Sequence, residues 1–64
     1  ILVITTAGSF VIGARYKILT AGNTDFTLIG AANNNVGTIF TATGAGTGTG
    51  TVTPSGIIMV NTNT

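Results

Sequence analysis

Only three side chains in this chain are ionised at neutral pH: Arg15, Lys17 and Asp25. There is no His and no Cys. The hydroxyls of Thr, Ser and Tyr16 therefore have no partner base to activate them as nucleophiles. One Asp cannot form the pair of carboxylates that acid–base hydrolysis requires. Nor can a chain with one carboxylate side chain and no imidazole or thiolate build a zinc or calcium cage from its own groups. Gly44-Ala45-Gly46-Thr47-Gly48-Thr49-Gly50 looks like a phosphate loop, but Thr49 stands where a dinucleotide fingerprint has its last Gly. No Lys is near enough for a triphosphate loop either. Two cations cannot make a polybasic footprint for nucleic acid or for a membrane surface. The residues point to no enzyme, with no catalytic, cofactor-binding or metal-ligating side chain and no cofactor.

The elements that carry these residues are strands. The tract Gly37 to Thr53 reads GTIFTATGAGTGTGTVT, and at a period of two it divides into two faces. One is Ile39, Thr41, Thr43, Ala45, Thr47, Thr49, Thr51 and Thr53. The other is Phe40, Ala42, Gly44, Gly46, Gly48, Gly50 and Val52, nearly bare backbone in the middle. The tract is too long for one ordinary strand. A break within Gly44–Gly50 is expected, leaving strands from Gly37 to Thr43 and from Thr47 to Thr53, with Pro54 ending the second. Tyr16 to Thr20 is a further strand, with Tyr16, Ile18 and Thr20 on one face and Arg15, Lys17 and Leu19 on the other, wetter one. Ala21 to Asp25 is dense in turn formers. Thr24 or Asp25 could cap a helical turn over Phe26–Ile29 ended by Gly30, or that segment could be a short strand. Phe10, Ile12, Tyr16, Ile18, Phe26, Ile29 and Phe40 form the expected core. The aromatics are placed for packing and not at a nucleic-acid-binding spacing.

No segment has a helical period of useful length, and Thr, Val, Ile and ten glycines favour strand over helix. The class is all-β, a small sandwich or barrel-like sheet of short strands in a single domain, residues 1–64. At 64 residues such a domain usually needs a staple. Disulfides and metals are ruled out by composition, which leaves association. Charged residues make up 5% of the chain and mean hydropathy is +0.63, a surface that makes sense when neighbours cover it.

Two runs stand at the ends. Ile1, Leu2, Val3 and Ile4 open the chain, and Ile57, Ile58, Met59 and Val60 come near its close. Each is apolar, uncharged and too short to span a membrane. Such runs are central strands of the chain's own core or strands shared with a neighbour. Their composition makes them the candidate assembly interface, with other copies of the chain as partners and neighbouring strands completing the sheet.

Tyr16-Lys17-Ile18, Gly22-Asn23-Thr24-Asp25-Phe26-Thr27-Leu28-Ile29-Gly30-Ala31, Asn34, Val36-Gly37 and Phe40-Thr41-Ala42-Thr43-Gly44 through Gly50 form a familiar pattern. The stretch from Gly8 to Thr53 resembles a Gly/Thr-rich module of structural and tail-associated proteins of marine tailed bacteriophages. The resemblance implies a β-rich structural or adhesive unit in a virion or extracellular setting, without catalysis. The apolar ends lie outside it. Together these readings give a self-assembling subunit of a filament, fibre or virion appendage. The alternative is a carbohydrate- or surface-adhesive module that contacts a glycan or host surface.

Overall fold

The computed structural model describes residues 2–55. Its strands are β1 (Thr5–Thr6), β2 (Arg15–Thr20), β3 (Ile39–Thr41) and β4 (Thr51–Pro54), with a 3-10 turn at Phe26–Ile29 between β2 and β3. They form one open antiparallel sheet in the order β1-β4-β2-β3. The all-β class and the short strands match the sequence reading. The central pair is β4 and β2, with Tyr16 opposite Pro54, Lys17 opposite Thr53 and Ile18 opposite Val52. Thr20 then faces Thr51, so Leu19 is an extra residue in the ladder. That bulge reverses the facing of the residue after it. Thr20, expected on the inner face with Tyr16 and Ile18, is instead exposed, and its hydroxyl bonds to that of Thr51 at 2.7 Å.

The period-two division of the Gly/Thr tract survives folding. Phe40, Ala42, Gly50 and Val52 are buried, while Ile39, Thr41, Thr43, Ala45, Thr47 and Thr49 are exposed. The tract does break within Gly44–Gly50, between β3 and β4. Both strands are shorter than expected: single backbone bonds to the β2 chain continue beyond β3, and side chains take over before β4. Gly37 N–H reaches back to Ile18 O at 2.9 Å before β3 begins. Before β4, Thr49 and Gly50 give their N–H groups to the side chains of Asn23 and Thr24.

The inner face of the tract lies on an aromatic cluster, and this explains its glycines. Phe10, Tyr16, Phe40 and Phe26 form a closed ring of contacts. Centroids are 5.6 Å apart for Phe10–Tyr16, 6.2 Å for Tyr16–Phe40, 5.6 Å for Phe26–Phe40 and 5.9 Å for Phe10–Phe26. These are all four aromatic residues of the chain. A Cβ on Gly46 would sit 2.9 Å from the Phe10 ring, and one on Gly50 would sit 2.7 Å from Phe26 Cζ. The rings thus occupy the space that side chains on this face would need. Ile18, Val52, Ile29, Ala31 and Ala42 complete the core. The Tyr16 hydroxyl, at the edge of the cluster, accepts from Val11 N–H at 3.0 Å.

Two expectations are corrected. Ile12 is not in the core; it is 70% exposed. After Phe10 turns inward the chain reverses at once. Ala14 N–H bonds to Val11 O at 3.1 Å, and Gly13 N–H bonds to Ala42 O at 2.8 Å. Val11 and Ile12 are left on the outside of that turn. Leu2, Val3 and Ile4 are likewise not a central strand of the core: they precede β1 without joining the sheet and are 54–62% exposed. Between the open alternatives for Phe26–Ile29, the helical turn is the one formed. Asp25 caps it, accepting from Thr27 N–H, and Gly30 closes it at φ 110°.

Candidate functional site

The charged residues stay apart in role. Arg15 and Lys17 project from the exposed face of β2, where Arg15 Nη1 donates to Thr41 Oγ1 at 3.3 Å. Asp25 is tied into its loop through one oxygen. Its Oδ1 accepts from Thr27 N–H at 3.1 Å, from Asn34 Nδ2 at 3.2 Å and from the Thr27 hydroxyl. Asn34 Oδ1 in turn accepts from Phe26 N–H at 2.6 Å. The Thr27 hydroxyl, then Asn34, then the Thr27 N–H hold the Asp25 carboxyl below its ordinary value of 3.8. Among the described residues no His/Cys/Asp/Glu cluster could hold a metal ion. Nor is any helix among them long and apolar enough to cross a membrane.

Beside Asp25 lies an open cleft of ≈430 Å³, lined by Asn23, Asp25, Leu28, Ile29, Ala45, Gly46 and Thr47. Its three walls come from the loop after β2, the 3-10 turn and the bend of the Gly/Thr tract. The loop and the bend are clasped together. Asn23 Oδ1 accepts from Thr49 N–H at 2.8 Å, Asn23 N–H donates to Thr49 Oγ1 at 3.2 Å, and the buried Thr24 hydroxyl accepts from Gly50 N–H at 2.8 Å. Sequence reasoning took Asn23 for a turn former and missed the cleft. The partners that build it are twenty-six residues apart, and no local pattern announces such a pairing.

The residues expected from sequence to form an assembly interface fall at a different place. β1 is an edge strand, and Leu2, Val3 and Ile4 precede it. Because Thr5 faces Val52 in an antiparallel pair, these three residues enter at the end of the sheet where β4 finishes. β2 begins at the same end, with Ser55 N–H bonded to Arg15 O at 2.9 Å, and the Val11–Ala14 turn leads into it. Leu2, Val3, Ile4, Val11 and Ile12, all more than half exposed, therefore belong to one end of the molecule. The other candidate assembly residues, Ile1, Ile57, Ile58, Met59 and Val60, lie outside the described residues; Ser55, the last described residue, is at this same end.

No protein-family model, curated protein or solved structure matches the chain.

Proposed function

We propose that the chain is a structural subunit that self-assembles through its apolar end, as part of an extracellular filament, fibre or virion appendage. The observation that carries this reading is the exposure of Leu2, Val3 and Ile4 immediately before the edge strand β1, in a chain with almost no charge to oppose association. An unpaired edge offers backbone donors and acceptors to an incoming strand. The apolar side chains add about 1.5–3 kcal/mol each when fully buried. The resemblance of Gly8–Thr53 to phage structural modules is what suggests the virion setting.

Removing residues 1–4 tests this reading. None of residues 2–4 belongs to the core cluster, so the shortened chain is expected to keep its fold and lose its assembly. The expected outcome is a folded monomer by sedimentation velocity and circular dichroism, beside elongated particles of the full chain under negative stain. A shortened chain that still forms those particles would overturn the assignment of the interface to this edge.

A further inference from the structure

The cleft beside Asp25 contains polar groups that the fold fixes but does not use. All three donors to the Asp25 carboxylate go to Oδ1, which leaves Oδ2 without a donor among the described residues. Asn23 is oriented by the N–H of Thr49, which can only donate, so its oxygen is the atom engaged there. Its Nδ2 is then left with two unused protons among the described residues. The exposed Thr47 hydroxyl adds a third group, again with no partner among those residues. Leu28, Ile29 and Ala45 supply an apolar wall. An acceptor and a donor, each oriented by a backbone N–H, and an exposed hydroxyl thus meet over an apolar surface in a cleft of ordinary small-ligand volume, roughly 300–1,000 Å³.

We propose that this cleft binds the vicinal diol of a neutral saccharide. Asp25 Oδ2 accepts from one hydroxyl, Asn23 Nδ2 donates to its neighbour, and the C–H face of the ring lies against Leu28 and Ile29. A diol matches the pair because each of its hydroxyls both donates and accepts. An anion is disfavoured by the carboxylate. A divalent cation would find one acidic side chain and no second. A purely apolar ligand would strip water from an ionised group without replacing its hydrogen bonds. Pre-organisation favours binding, since neither side chain has to be ordered first. This inference rests on the cleft alone and is independent of the assembly edge.

Saturation-transfer difference NMR tests it on the full chain, assembled or not, because the signal is read on the sugar. The probes are the methyl glycosides of mannose, galactose, glucose and N-acetylglucosamine. At least one is expected to receive saturation on its ring protons. Asp25→Asn keeps an oxygen for Thr27 and Asn34 but puts an amide where Oδ2 was. It should weaken binding by about tenfold or more, the effect of losing a charge-assisted hydrogen bond. Thr47→Val removes only an exposed hydroxyl and should weaken binding by a smaller factor. If Asp25→Asn loses the folded circular-dichroism spectrum, Thr47→Val carries the test. Transfer from none of the four glycosides overturns the proposal, as does transfer that the folded variants leave unchanged. A response of the Asp25 amide region to calcium or methylammonium, with none to the glycosides, would make this a cation site and also overturn it.

Discussion

Gly50 separates two reasons for glycine that a sequence alone confounds. Seven described glycines have positive φ; Gly50 does not. It is glycine because Phe26 Cζ, Ala21 O and Thr24 Cβ would lie 2.7–2.8 Å from any Cβ. Gly50→Ala is therefore expected to destabilise by overpacking, about 1–3 kcal/mol, read as a lower urea midpoint. Gly8→Ala meets no atom within 4 Å but must hold φ near 100°; backbone strain of about 1–3 kcal/mol is its only cost. A second-site test distinguishes the two. Trimming Phe26 to Leu should recover part of the Gly50→Ala loss and none of the Gly8→Ala loss. At Asp25 the sign of the pH effect comes from its hydrogen bonds. Its folded carboxyl titrates below the ordinary 3.8, so its contribution is present at neutral pH and is lost as pH falls through the folded value. It is the chain's one carboxylate side chain. Asp25→Asn should then flatten most of the acid limb of a stability–pH profile recorded below about pH 5, with a lower plateau at neutral pH, where the ionised carboxylate contributes.

Among the elements, legibility tracks how local the cause is. Arg15–Ile18 alternates polar and apolar residues, and it lies in the strand β2. Asp25 and Gly30 bracket Phe26–Ile29, and the turn they cap is present. The inner and outer faces of the Gly/Thr tract could be read from its period of two, because the same parity holds on both sides of the break. What the sequence concealed depends on contacts across the chain. The Leu19 bulge, the outward turn of Ile12 and the clasp between Ala21–Asp25 and the tract are all of this kind. The clasp itself predicts a measurable effect. Thr24 is 5% exposed and its hydroxyl satisfies the Gly50 N–H. Thr24→Val has nearly the same shape but leaves that N–H buried without an acceptor, at a cost of about 1–3 kcal/mol. Asn23→Ala, at an exposed position, should cost less, because water can replace the lost bond to Thr49. The order of the two urea midpoints checks the assignment: Asn23→Ala falling below Thr24→Val would place the clasp's strength at the surface.

For the whole molecule, the placement of the apolar residues constrains what kind of assembly can grow. Leu2, Val3, Ile4, Val11 and Ile12 sit at one end of the sheet. Two copies that join through this end alone use the same patch on each, which makes a closed two-fold pair and stops. Growth into a filament needs a second surface of different composition. Among the described residues, the remaining exposed large apolar ones are Leu28, Val36 and Ile39. Ile39 opens β3, the sheet edge opposite β1, and Gly37 next to Val36 is tied to β2 at Ile18. An edge-to-edge contact between β1 of one copy and β3 of the next is heterologous and leaves both outer edges free to continue. On this account a charge at either place has a distinct effect. Val3→Lys should give monomers, because it puts an ammonium on the apolar end and also beside the β1 edge. Ile39→Lys should stop assembly at dimers, because the apolar ends can still meet while the β3 edge is guarded by Lys, the residue natural edge strands use for that purpose. Sedimentation velocity separates monomer, dimer and polymer in one run. Elongated particles from Ile39→Lys would exclude β3 as the growing edge and shift the second contact to Leu28 and the cleft side of the molecule.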